Sequence, residues 1–174
     1  SCSHGHHHHN HGVDPHIWTS PKALKRVARN IYSSLAPDSV KYQIATHKLI
    51  DELSELDSLC SNKIDMCGVD AMMIYHPAFT YYARDYGIEQ ISIEHDGKEP
   101  SPRQLTKLVD RAKEHNIKTL FIQPQYSKDK LNALAEECNA ETVAVDPLSE
   151  DIIAQIERVT TIICGGNEYK RTYN

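Results

Sequence analysis

Residues 71–79 read Ala-Met-Met-Ile-Tyr-His-Pro-Ala-Phe, and they give the clearest indication of the fold class. Its apolar run predicts a buried strand at Ala71–Tyr75, and Pro77 predicts that a helix starts directly afterwards. The same order recurs three times, with strands predicted at Ile88–Ile93, Thr119–Ile122 and Thr142–Val145 and helices at Pro77–Tyr86, Pro102–His115, Ser127–Cys138 and Ser149–Ile163. Strand–helix alternation with short connections implies right-handed crossovers. The sequence therefore predicts an α/β lobe with a four-stranded parallel sheet flanked by helices.

Two further helices are predicted before this lobe. Ser20 is a cap and Pro21 a first helical residue, and apolar residues then recur at helical spacing until the chain reaches Pro37. A second helix begins at Asp38 or Ser39 and is predicted to run to about Ser61. Its length, roughly 35 Å, suits a spacer between two bodies.

The composition of the chain argues against several classes of function. The chain has 174 residues and a net charge of −5, which argues against nucleic-acid binding. No run approaches the ~18–20 apolar residues of a membrane span. The five cysteines form no C-x-x-C pair. Cys60, Cys67 and Cys138 are expected to be small apolar fillers, while a disulfide involving Cys164 is left open for an oxidising compartment.

Polar side chains follow the predicted strands, where parallel sheets bind ligands. His76 follows the first strand, Glu94 and His95 the second, Gln123 the third and Asp146 the fourth. Imidazole and carboxylate groups suit zinc. Each residue also has a structural interpretation: His76 as a core histidine, His95 as a solvated loop residue and Asp146 as a turn former.

Histidine is in excess, because seven of the 11 histidines precede Ile17. Six of them form a candidate auxiliary metal-collecting loop: His4, His6, His7, His8, His9 and His11. A purification tag is the alternative, but Gly5 and Asn10 interrupt the run. A loop without fixed structure would bind metal weakly, because its imidazoles must be ordered on binding. The seventh, His16, lies just before a helix start and is better placed to be a fixed ligand.

Several motifs together resemble the zinc-specific solute-binding proteins of bacterial ABC transporters, the ZnuA-like group of cluster A-I. They occur in the family's order and comprise the His-rich loop, Asp14-Pro15-His16-Ile17-Trp18-Thr19-Ser20-Pro21, Ile74-Tyr75-His76-Pro77-Ala78-Phe79-Thr80-Tyr81-Tyr82, Glu99-Pro100-Ser101-Pro102, Phe121-Ile122-Gln123-Pro124-Gln125 and Val145-Asp146-Pro147-Leu148.

The resemblance implies two α/β lobes joined by a long helix, with the metal between them. His16 and His76 resemble the histidine ligands of the first and second lobe, and Asp146 resembles a carboxylate ligand of some members. The implied organisation is a His-rich loop at 1–13, a remnant of an N-terminal lobe at 14–37, a linker helix at 38–63 and a C-terminal metal-binding lobe at 64–174.

Most of the first lobe, with a further histidine ligand, is absent relative to the family, so we expect a truncated form. The apolar face of its remnant helix is then expected to fray or to be buried in a homo-oligomer.

The function implied is capture of Zn²⁺ and its delivery to a membrane permease, in the periplasm or at the outer face of the cell envelope, without enzymatic activity. Binding requires neutral imidazoles, so affinity should fall as the pH drops through about 6.5. The alternatives are a zinc-dependent hydrolase, which lacks an evident base, and a metal-binding surface adhesin.

Overall fold

The structure is a computed structural model that describes residues 13–95 and 97–166. The six histidines of the predicted collecting loop therefore lie outside the described residues. Within those residues, no helix has the length and apolarity needed to cross a membrane.

Four parallel strands form the sheet: β1 at Ala71–Ile74, β2 at Glu89–Ser92, β3 at Thr119–Ile122 and β4 at Glu141–Ala144. Their order is β2-β1-β3-β4. The register pairs Ala71 with Glu89, Met73 with Leu120 and Thr119 with Glu141. The predicted α/β fold with a four-stranded parallel sheet is confirmed.

Six α-helices are described: α1 at Pro21–Leu35, α2 at Val40–Cys67, α3 at Thr80–Asp85, α4 at Pro102–Glu114, α5 at Asn132–Cys138 and α6 at Ile152–Ile163. Short 3-10 helices precede α1 at Ile17–Thr19 and α5 at Lys128–Leu131. The helix predicted at Ser127–Cys138 is thus divided into a 3-10 turn and α5.

The linker helix α2 is longer than predicted. Its 28 residues continue past Ser61 because Cys60 and Ile64 carry the apolar repeat into the core of the lobe. Gly68 then ends the helix in the left-handed conformation, with φ 67°. The predicted boundary between residues 63 and 64 consequently falls inside one continuous helix of about 42 Å.

Two helices begin three residues later than the sequence predicts. The helix predicted from Pro77 begins at Thr80, because the Gln90 side chain accepts a hydrogen bond from the Phe79 backbone N–H at 2.6 Å. The helix predicted from Ser149 begins at Ile152, because Asp151 and not Ser149 accepts a hydrogen bond from the backbone of the first turn.

The core forms one layer on each face of the sheet. One layer joins α2, α3 and α6 to the sheet through residues that include Cys60, Phe79, Tyr82, Phe121 and Ile156. The other joins α4 and α5 to it through residues that include Met73, Leu108, Leu120, Leu131 and Leu134. Both faces are covered, as expected for apolar parallel strands.

A buried polar network connects α2, α3 and α6 through Thr160. Its hydroxyl donates to the Ile156 carbonyl oxygen at 2.8 Å, which leaves its oxygen free to accept. The Tyr82 hydroxyl donates to that oxygen at 2.6 Å, and the Cys60 thiol lies 3.2 Å from it. Burial raises the pKa of the Cys60 thiol to about 11, so the thiol stays protonated and donates. Thr160 is therefore the acceptor for two buried donors.

We predict that Thr160→Val lowers the free energy of unfolding by about 2 kcal/mol, because valine leaves the buried Tyr82 hydroxyl without its acceptor. Urea unfolding followed by tryptophan emission measures this loss. Thr106→Val is the matched control, because Thr106 makes the same bond to a carbonyl four residues earlier on an exposed helix face. Equal losses in the two variants would contradict the prediction.

A disulfide joins Cys67 at the end of α2 to Cys164 just after α6, across a sequence separation of 97 residues. The expectation that Cys67 is an apolar filler is therefore wrong, whereas Cys60 and Cys138 are buried free thiols. Spacing could not indicate this pair, because only the packing of α2 beside α6 brings the two residues together.

The first turns of helix α1 pack against the rest of the protein, whereas its last turns are exposed to solvent. Pro21 and Ala23 are buried, and Lys25 pairs with Asp57 of α2 at 2.9 Å. This half of the helix is therefore docked and not frayed. Large apolar side chains at the end of α1 and the start of α2 are more than half exposed, among them Ile31 and Leu35 of α1 and Val40 and Ile44 of α2. Self-association through this face stays a prediction.

Candidate metal centre

His76 lies two residues after the end of β1, where the strand order changes direction between β1 and β3. Connections leave opposite faces of the sheet at such a point and open a ligand-binding crevice. The almost fully buried Gln123, which follows β3, clamps the His76 backbone from both sides. Its amide nitrogen donates to the His76 carbonyl at 2.7 Å, and its oxygen accepts from the His76 N–H at 3.3 Å. The main chain of His76 is thus fixed at the crevice.

The ring of His76 is oriented by a carboxylate. Its Nδ1 lies 2.6 Å from Oε1 of Glu94, which follows β2 and is only 5% exposed. A buried carboxylate accepts hydrogen bonds and does not donate them while it is ionised. With Nδ1 donating to this carboxylate, the lone pair of a neutral His76 ring lies on Nε2.

His16 is arranged in the same way by Asp14. The His16 Nδ1 lies 2.7 Å from Asp14 Oδ1, which also accepts from the His16 backbone N–H at 2.9 Å. Burial raises the pKa of the Asp14 carboxyl, but hydrogen bonds from Thr80 and His16 outweigh burial and hold the pKa below its ordinary value. Asp14 is thus an ionised acceptor at neutral pH.

The two rings lie beside each other. Their centroids are 5.5 Å apart, and the ring planes meet at 74°. A tetrahedral zinc ion that binds two imidazole nitrogens at 2.0–2.1 Å would hold the ring centroids roughly 5 Å apart. The observed separation matches that requirement. Carboxylate–histidine–zinc groups use the same pattern, with the non-ligating nitrogen donating to a carboxylate.

The predicted third residue, Asp146, has a separate local role. Its carboxylate accepts from the Leu148 backbone N–H at 2.9 Å and so forms the turn between β4 and α6. Among residues 13–95 and 97–166, no three His, Cys, Asp or Glu side chains converge as a metal-binding group. His16 and His76 are brought together, while a role for Asp146 as a ligand stays a prediction.

The other histidines that the structure describes lie elsewhere. His95 is exposed and exchanges backbone hydrogen bonds with Lys98 in a turn. His47 is exposed on α2. His115 ends α4, with its Nδ1 2.9 Å from Asp70 at the opposite edge of the sheet.

Sequence reasoning missed the residues that support the two rings. Glu94 and Gln123 are predicted only as polar residues at strand ends, without a role in supporting the rings, and Asp14 has no predicted role at the site. A local signal existed for Asp14, because a carboxylate two residues before a histidine can reach its ring. Glu94 and Gln123 carried no such signal, since their contacts depend on the order of the strands.

The chain matches the family model of the periplasmic zinc-uptake complex component A, ZnuA, over residues 2–159. The high-affinity zinc uptake system protein ZnuA of Bacillus subtilis strain 168 is 33% identical over 144 residues, which cover 79% of this chain and 45% of that protein. The chain thus spans about half the length of this curated relative.

Solved structures agree with this result. A crystal structure of ZnuA superposes with a TM-score of 0.79 at 31% identity, covering 90% of this chain and 63% of that one. The laminin-binding protein Lmb of Streptococcus agalactiae, described as a bifunctional protein with adhesin and metal transporting activity, superposes with a TM-score of 0.74 at 25% identity. That match covers 86% of this chain and 64% of the other.

Proposed function

We propose a function for this chain from one premise: the chain belongs to the ZnuA family of periplasmic zinc-uptake components. On that premise, the chain captures Zn²⁺ as cargo through His16 and His76 and delivers it to the membrane permease of an ABC transporter. It acts in the periplasm or at the outer face of the cell envelope.

One observation carries the proposal. The ring centroids of His16 and His76 lie 5.5 Å apart, and each ring directs its Nδ1 to a carboxylate. Both Nε2 lone pairs therefore remain for a metal. Among the described residues, neither Nε2 has a hydrogen-bond partner. Neutral imidazoles bind zinc well, whereas hard cations such as Mg²⁺ prefer oxygen ligands.

Charge supports the same assignment. Asp14 and Glu94 place two negative charges directly behind the two neutral rings. These charges balance a divalent cation, and the hydrogen bonds make each ring a stronger donor. The remaining coordination positions of zinc are proposed to be filled by Asp146, by a histidine of the 1–13 loop or by water. The loop histidines collect the ion and transfer it to the fixed pair.

The proposed role involves capture and release without chemical conversion. The family consists of solute-binding components and is not a class of enzymes. The hydrolase alternative requires a third ligand and a base beside the metal. Among the described residues, no three His, Cys, Asp or Glu side chains converge as a metal-binding group. A metal-binding adhesin would share the same pair of histidines, so it differs from the proposal in its partner and not in its site.

The test distinguishes zinc binding by His16 and His76 from zinc binding by the histidines of the 1–13 loop. In a loop variant, His4, His6, His7, His8, His9 and His11 are replaced by asparagine, and zinc binding is measured by equilibrium dialysis against a competing chelator. We expect this variant to retain one zinc ion per chain. Trp18 provides a local readout, because it is the only tryptophan and its ring lies 5.5 Å from that of His16. A loop variant that binds no zinc would contradict the proposal that His16 and His76 hold the ion without the loop histidines.

We predict that Glu94→Gln, made in the loop variant, lowers zinc affinity about tenfold, because the charge that orients and polarises the His76 ring is lost. The matched control is Glu99→Gln, which removes one negative charge from the same connection, at a side chain that pairs with Lys130. Equal affinities in the two variants would show that Glu94 acts merely through long-range charge.

A further inference from the structure

The segment that carries His16 is fastened to the lobe that carries His76. The Trp18 ring nitrogen donates to the Pro147 carbonyl, in the connection after β4, at 2.8 Å. The Tyr81 hydroxyl of α3 donates to the Asp14 carbonyl at 2.9 Å. These two bonds lie on either side of His16 in the sequence and reach different elements of the lobe.

A third hydrogen bond holds the carboxyl end of the segment that carries His16. The Ser20 hydroxyl donates to Asp85 at the end of α3 at 2.5 Å. The Trp18 ring also packs edge-on against the His16 ring, at a centroid distance of 5.5 Å. Backbone and ring of His16 are therefore both restrained before any metal is considered.

We propose that Tyr81 and Trp18 are positioning residues of the metal site, which hold His16 against His76 so that zinc meets a preformed pair. This inference rests on the proposed function and deepens it. Neither residue touches the metal. Both act through the main chain on either side of His16, so that this ligand belongs to the same packed unit as His76.

Preorganisation of His16 explains why these hydrogen bonds should increase zinc affinity. A ligand on an unfastened segment must be ordered when the metal binds, and this ordering weakens the affinity. Fastening the segment during folding removes most of that cost from the binding step. Tyr81 holds the carbonyl of Asp14, the residue whose carboxylate also orients the His16 ring.

The experiment compares Tyr81→Phe with Tyr32→Phe in the loop variant. Both changes remove one phenol that donates to a backbone carbonyl, and the Tyr32 bond to Pro37 lies far from the site at the end of α1. We expect Tyr81→Phe to weaken zinc binding roughly fivefold, the factor that corresponds to one net hydrogen bond. Tyr32→Phe should bind zinc as the loop variant does.

Two further readouts separate positioning from general stability. Urea unfolding without metal should give similar midpoints for the two phenylalanine variants, and the visible spectrum at saturating Co²⁺ should keep its shape because the ligands are unchanged. Trp18→Phe should also weaken Zn²⁺ and Co²⁺ binding, since phenylalanine fills the position but cannot donate to Pro147.

Unchanged zinc affinity in both Tyr81→Phe and Trp18→Phe would overturn the inference. That outcome differs from failure of the proposed function, in which His16→Ala and His76→Ala would themselves leave zinc binding unchanged.

Discussion

Replacement of His76 by alanine is expected to reduce zinc affinity on the order of 1000-fold. Loss of an outer hydrogen-bond partner of a ligand typically costs 10- to 100-fold, and loss of the ligand itself must cost more. Alanine also leaves the Glu94 carboxylate, only 5% exposed, without the imidazole that donates to it. The measurement is a chelator-competition titration of the loop variant with Zn²⁺, with Trp18 emission as the site-specific signal.

The matched control is His115→Ala. His115 is also a half-buried histidine with its Nδ1 on a carboxylate, but it lies at the opposite edge of the sheet. We expect its replacement to change stability while leaving zinc affinity at the level of the loop variant. If His76→Ala and His115→Ala bind zinc equally well, the assignment of His76 as a ligand fails.

Removal of the disulfide is expected to lower the free energy of unfolding by about 4 kcal/mol. The bridge between Cys67 and Cys164 spans 97 residues, and cross-links that close such long loops restrict the unfolded chain strongly. The double variant Cys67→Ser/Cys164→Ser removes it. Equilibrium unfolding in urea, followed by circular dichroism, measures the change.

Reduction of the unaltered chain provides the control for this double variant. A reducing agent should bring the unaltered chain close to the stability of the double variant and should leave the double variant unchanged. Zinc affinity of the folded protein should be similar in all samples, because the bridge lies at the amino edge of the sheet and the histidine pair at the carboxyl edge. A double variant as stable as the unaltered chain would contradict the prediction.

The position of the histidine pair follows from general properties of parallel sheets. All four strands end at one edge, so residues that directly follow different strands become neighbours although they are far apart in sequence. His76 and Gln123 meet because β1 and β3 are adjacent, and Glu94 joins them because β2 pairs with the other side of β1. The three residues come from three different strand ends.

The elements of the fold could be predicted from the sequence alone, as could the choice of His16 and His76 as candidate ligands. Apolar periodicity and capping residues are local signals, so they identified every strand to within a few residues and the start of α1 at Pro21. His16 and His76 could be chosen because each is adjacent to such a predicted element, and their chemistry is a property of the residue type.

The surroundings of those histidines could not be predicted from the sequence, because they depend on how distant segments pack. Three of the contacts around them join segments that are separated by at least 18 residues. They are the hydrogen bond between Glu94 and the His76 Nδ1, the hydrogen bonds between Gln123 and the His76 backbone, and the Tyr81 bond to Asp14. The pairing of Cys67 with Cys164 has the same origin. Hydrogen bonds and disulfides depend on distances of a few ångströms, and packing, not sequence spacing, sets those distances.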